Sequence, residues 1–253
     1  MSASLSSDSP PIERDPVLTH RAAEGAIFLA DGRRVAAWSE VFLQTLHRSL
    51  AQETPDTAAH VLYRVGFEWG LQDLLQLHQQ VRDEFGRRPD QDLWKLDDTT
   101  VFQRWSTPLA TAGWGRWEFD RTARASGLTI VELHHSAVAA ALASPPPPAG
   151  GESGAPARHK PVEPVCHLYA GVFAGALSFY DRAELHAVET ECVSLGHACC
   201  RFLVGPGPII DRAETARRTG ANHDAIVRAA CAPTAPAAPP TASAKPGKIP
   251  WKK

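Results

Sequence analysis

Between positions 166 and 200 the chain sets out Cys166, Glu189, Cys192, Cys199 and Cys200, with His186 and His197 interspersed. Thiols, carboxylates and imidazoles at such spacing suit a tetrahedral metal ion of the zinc type, for which three thiolates and one carboxylate form a closed set. Inert, buried cysteines are the competing reading. Cys192 and Cys200 flank a short turn that would return the chain and bring two thiols together. Cys199 and Cys200 point to opposite faces of a strand, so one of them joins Cys192. On strict alternation Glu189 and Cys192 also face apart, and their joint ligation needs a bulge or an early strand end. The residues alone leave the fourth ligand open.

Whether these cysteines are thiols depends on compartment. The N-terminus MSASLSSDSPPIERD has neither the basic start nor the apolar stretch of a secretory signal, and no apolar run approaches the ~20 residues of a membrane helix. A cytoplasmic chain is expected. Its five cysteines then serve metal or packing rather than disulfides. A net charge of -2 gives no global drive toward nucleic acid or anionic lipid, and no direct nucleic-acid contact is expected.

The elements that would hold the cluster follow from periodicity. Pro164 opens a helix through VCHLYAGVFAGALSFY, where Gly171, Ala174 and Gly175 predict close helix packing. Strands are expected at Glu184 to Cys192 and Cys199 to Val204, then one long helix from Ile209 to Ala230. Upstream, AIFLADGRRVAAW reads as a hairpin turning at Asp31-Gly32. Helices follow at Ser39 to Gln52 and Asp56 to Phe85, the second with Gly66 and Gly70 mid-pattern, and a shorter one at Thr99 to Ser106 stops before Pro108. Strands at Arg116 to Thr122 and Leu128 to His134 and a short helix at Ser136 to Leu142 complete the series. The sum is an α+β fold, an antiparallel sheet packed by helices. It spans residues 17–231, with a Pro/Gly-rich loop at 144–163 and solvated tails at 1–16 and 232–253.

The stretch from Pro164 to Gly205 resembles the 4-vinyl-reductase-type domain found in the sensor regions of aromatic-responsive bacterial activators and in proteins linked to bacteriochlorophyll synthesis. The family's zinc ligands follow a Cys, 22 residues, a Glu, two residues, a Cys, seven residues and a Cys. Cys166, Glu189, Cys192 and Cys200 stand at those intervals. The resemblance selects Cys200 over Cys199 and implies a structural Zn2+, a TRAPP/Bet3-like fold, a homodimer and an apolar ligand cavity near the metal. Candidates to line that cavity are Trp114, Trp117, His134, His135, His167, Tyr169, Phe173 and Tyr180, since aromatic rings stack on planar ligands while His or Tyr fixes a polar group.

No phosphate-binding loop, dinucleotide fingerprint, serine elbow or HExxH helix is present, and a fully protein-ligated zinc leaves no position for substrate. The expectation is a non-enzymatic, stand-alone sensor or regulatory adaptor that binds a small hydrophobic or aromatic ligand and signals to an effector protein in trans. A dimeric scaffold and an accessory protein or reductase of tetrapyrrole metabolism are the alternatives. The basic end carries Lys245, Lys248, Trp251, Lys252 and Lys253, a segment suited to docking on an acidic partner.

Overall fold

The computed structural model describes residues 18–21, 26–29, 34–86, 92–143 and 163–232. Three short strands, β1 (Leu18–Arg21), β2 (Ala26–Leu29) and β3 (Arg34–Val35), form an antiparallel sheet in that order. Helices α1 (Glu40–Glu53), α2 (Ala58–Glu84) and α3 (Asp98–Thr111) follow. A second antiparallel sheet, in the order β4-β5-β7-β6, contains β4 (Arg116–Asp120), β5 (Thr129–His134), β6 (His186–Glu191) and β7 (Cys200–Gly205). Between β5 and β6 lie α4 (Ala137–Ala143) and α5 (His167–Asp181), and α6 (Gly207–Arg218) and α7 (His223–Cys231) end the described chain.

The apolar helix α5 is buried on nearly every side and forms the hub of the core. One face meets the inner surface of the larger sheet, where Trp117, Val131, Leu133, Phe202 and Val204 point inward at alternate positions. The opposite side meets α2 through glycines. A Cβ on Gly66 or Gly70 would collide with the carbonyl oxygen of Leu168 or Val172, and one on Gly171 or Gly175 would collide with that of Tyr63 or Phe67. The two backbones are therefore in contact, at a separation only glycine permits. On the sheet's outer face, Leu128, Leu203, Ile210, Ala213, Ile226 and Ala230 form a smaller core under α6 and α7. The α+β architecture expected from the periodicity is the one found.

Three elements differ from expectation. Helix α3 continues through Pro108 to Thr111, because Leu109 packs into the same core as Val101, Phe102 and Trp105 and holds the last turn helical. The expected terminal helix is two. Gly220, at φ +79°, ends the first, and Asn222 starts the second by accepting from the Ala225 N–H at 3.0 Å. Strand β1 is an addition to the expected hairpin; it pairs along the far edge, with Leu18 opposite Leu29. The turn at Asp31-Gly32, most of the 144–163 loop and almost all of both tails lie outside the described residues.

Candidate metal centre

Cys166 sits just before the first turn of α5, Glu189 near the end of β6, Cys192 just beyond it, and Cys200 at the start of β7. Regular alternation would turn Glu189 and Cys192 apart. The strand solves this with a bulge: Glu189 pairs with Phe202 and Glu191 with Arg201, so Thr190 is the extra residue. Its hydroxyl donates to the Arg201 carbonyl at 3.2 Å and meets Nδ1 of the buried His223 at 2.8 Å, which fastens the bulge to α7. Past the bulge, Cys192 returns to the inner face with Glu189. A 3-10 turn at Val193–Leu195 and Gly196, at φ +102°, then lead to Cys200.

All four residues are buried, and one ligand atom from each lies within 4.8 Å of every other. The sulfur separations are 3.7 Å for Cys166 and Cys200 and 3.9 Å for each thiol to Cys192. A tetrahedral ion with metal–sulfur bonds of about 2.3 Å sets its sulfurs about 3.8 Å apart. Glu189 Oε2 accepts from the Cys166 N–H at 2.8 Å, while its Oε1 is buried without a hydrogen-bond partner. That orphaned oxygen and the tetrahedral spacing of the thiols fit a cation ligated by all four side chains.

The electrostatics agree. Burial, with hydrogen bonds among the thiols, pushes the Cys166 thiol far up, and burial beside Cys192 raises the Glu189 carboxyl. Cys192 moves the other way, drawn down by hydrogen bonds from Cys166 and Cys200. The protein by itself thus favours a single negative charge in the cluster. A divalent cation would invert this balance and favour deprotonated ligands. Cys199, which lies outside the cluster, faces the Glu132 and Arg201 side of β7. His186 and His197 approach Glu184 and Glu191 instead.

The one large cavity found among the described residues, of about 840 Å³, lies between β3, α1, α2 and the end of α3. Its apolar walls include Leu46, Leu50, Val61, Val65, Trp38, Trp69, Trp114 and Leu168, and Asp73 and Gln76 contribute polar groups. Trp114 is the one sequence candidate found there. Trp117, Tyr169 and Phe173 pack ring against ring in the core, because α5 is enclosed and has no free face for a ligand. The Tyr169 hydroxyl donates to the Trp114 carbonyl at 2.5 Å, and that of Tyr180 to Asp98 at 2.8 Å. His134 points to the sheet's outer face, with Nε2 3.7 Å from both Glu118 and Glu132. Those carboxylates already pair with Arg116 and Arg201. His135 occupies a left-handed turn position after β5. His167, whose pKa burial lowers, lies beside His47 at the start of α5.

Reading the sequence missed Trp38, Trp69, Asp73 and the valines of the cavity. Their signal was present. Val61, Val65, Trp69 and Asp73 recur every four residues on α2, one position before the buried row Leu62, Gly66, Gly70 and Leu74. The helix has two apolar stripes, one for α5 and one for the cavity. Lys245, Lys248, Trp251, Lys252 and Lys253 lie outside the described residues.

The family model of the 4-vinyl-reductase domain matches residues 155–206, which contain all four ligand candidates. The fold is similar to the crystal structure of the phenol-responsive sensory domain of the transcription activator PoxR with phenol. That pair has a TM-score of 0.54 and 20% identity, over 83% of this chain and 92% of the other. A vinyl-4-reductase family protein from Methanocaldococcus jannaschii gives a TM-score of 0.33 at 19% identity, over 56% of this chain and 66% of that one. A trafficking protein particle complex subunit 3 from Naegleria fowleri, covalently bound to palmitic acid, gives 0.40 at 12%, over 66% and 93%. No curated protein matches the sequence. The resemblance to the 4-vinyl-reductase domain thus holds where the cysteines lie, and the fold is that of the PoxR sensory domain. Among the described residues no helix is long and apolar enough to cross a membrane.

Proposed function

We propose that this chain is a zinc-stabilised sensor or regulatory adaptor that takes a small hydrophobic or aromatic ligand in the α1–α2–α3 cavity and signals to a partner protein in trans. The observation that carries the reading is the position of Leu168, which walls the cavity two residues after the ligand candidate Cys166. Zinc suits three thiolates and a carboxylate better than harder or redox-active ions do. Held there, it would fasten the start of α5 to β6 and β7, and so fix one wall of the cavity. Four protein ligands leave no open position, so the metal's part is structural and the protein is not an enzyme.

The PoxR sensory domain supports this reading, because the similar fold there responds to phenol. Ligand selectivity in this chain would differ, since its cavity has its own polar groups. A cytoplasmic homodimer belongs to the same proposal. The dimer contact would lie on α1 and α2, where Trp38, Val41, Phe42, Val61 and Val65 are exposed together beside the cavity. Thermal-shift screening of the zinc-loaded protein against hydrophobic and aromatic compounds tests the sensing role. Stabilisation by some of them, abolished in Val65→Trp with its filled cavity, is expected. A folded, zinc-loaded protein that none of them stabilises would contradict it.

A further inference from the structure

Three indoles and a carboxylate meet in the cavity. Trp114 packs edge-on against Trp38 and Trp69, with centroids 5.6 and 4.9 Å apart, so the three rings form a corner rather than a stack. One turn beyond Trp69 on α2 stands Asp73, whose Oδ2 accepts from Trp69 Nε1 at 3.1 Å. The Trp105 indole, reaching in from α3, approaches the same oxygen at 3.4 Å. Two donors from different helices hold this carboxylate beside the aromatic corner.

The combination has a chemical meaning. Indole faces carry negative quadrupole potential, and attract an organic cation within about 6 Å by roughly 0.5–2 kcal/mol depending on desolvation. A carboxylate beside them adds charge of the same sign, and even when shared with protein donors it has several acceptor positions for an ammonium N–H. A neutral apolar ligand would gain from the rings but nothing from Asp73, and an anionic one would be repelled. The other charged residue of the cavity wall is Arg34. It is exposed on β3, where water screens it, whereas Asp73 is half-buried.

We propose that the cavity selects protonated amines: an apolar body lies against Leu46, Leu50 and Val65, and the ammonium group sits between the indole corner and Asp73. The assignment rests on the reading that this cavity is the ligand site, and adds the charge of the ligand to it.

The experiment is calorimetric titration of the zinc-loaded full chain at neutral pH with three probes of matched shape, 2-phenylethylamine, 2-phenylethanol and phenylacetate. The amine is expected to bind about tenfold tighter than the alcohol, with phenylacetate weakest. Asp73→Asn keeps an acceptor for the indoles and should bring the amine down to the affinity of the alcohol. Gln76→Glu adds a second carboxylate at the same wall and should raise amine affinity, which keeps the test decisive if Asp73→Asn fails to fold. Equal binding of amine and alcohol, or tighter binding of phenylacetate, would overturn the charge selection and leave the cavity as a ligand site. Absence of binding by all three, with no change in tryptophan fluorescence, would overturn both.

Discussion

The backbone N–H of Cys166 donates to Oε2 of Glu189 across 2.8 Å, and this one bond ties the entry of α5 to the bulged strand β6. It consumes one oxygen of the carboxylate and leaves the other facing the thiols. Glu189 therefore has two separable tasks, an acceptor for a buried backbone group and a charged ligand.

Substitution separates them. Glu189→Gln retains an acceptor for Cys166 but loses the charge, so the protein should fold and release zinc to a chelator faster. Glu189→Ala also strands the Cys166 N–H, which costs a further ~1–3 kcal/mol. Chelator-induced release and melting temperature, measured side by side, should therefore rank wild type, Gln and Ala in that order; equal values for Gln and Ala would mean that the backbone bond contributes nothing.

The α2–α5 contact makes a second prediction. In Gly70→Ala the new methyl would collide with the Val172 carbonyl, so the helices must part along their length. Overpacking of a rigid backbone contact costs about 1–3 kcal/mol or more. Denaturant melts should show that loss. A neutral or stabilising effect, as the better helix propensity of Ala alone would give, would contradict the close approach.

A third concerns the end of α5. The largely buried side chain of Arg121 pairs with Asp181 at 2.6 Å and Asp98 at 3.1 Å, and lies over the rings of Phe102 and Tyr180 at 5.4 and 5.3 Å. Arg121→Ala should cost about 2–3 kcal/mol, below the full penalty for breaking a buried pair because Arg124 remains beside both acids. Arg121→Lys should recover part of it, since the charge returns but the planar stacking does not. Equal stability of all three proteins would refute a structural role.

Acid should destabilise the fold before its carboxylates titrate. Burial, helped by the nearby His167, lowers the pKa of His47 to about 4, and burial also lowers His167 and His223. In the unfolded chain these imidazoles protonate near pH 6.5, so below that pH the unfolded state binds more protons. The stabilisation is full above about pH 6.5 and is lost as the pH falls toward 4, amounting for His47 to at most about 3 kcal/mol. A scan of melting temperature against pH should decline through this window, less steeply in His47→Gln. Identical slopes would show that His47 does not contribute.

Much of this was readable from residue order. Alternation and helical spacing placed the larger sheet and its helices, and the need for a bulge between Glu189 and Cys192 followed from strand geometry, with Thr190 as the residue that provides it. The break at Gly220 and Asn222 was also legible, as a helix stop followed by a cap. Pro108 misled because burial of Leu109 outweighs a lost backbone bond. The cavity was harder to find, for a reason of dimension. Periodicity shows that α2 has two stripes, but which stripe meets α5 depends on a backbone contact set by four glycines in two distant segments. Tyr169 and Phe173 suggested a pocket by their chemistry, and only the enclosure of α5 makes them core.

The central claim is that Cys166, Glu189, Cys192 and Cys200 hold one zinc ion that the fold requires. Metal content and native mass of the purified wild type and of Cys192→Ser test it most directly. One zinc per chain in the wild type is predicted, absent from Cys192→Ser together with a large fall in melting temperature. A wild type that folds without metal, or a Cys192→Ser protein that retains its full zinc, would contradict it.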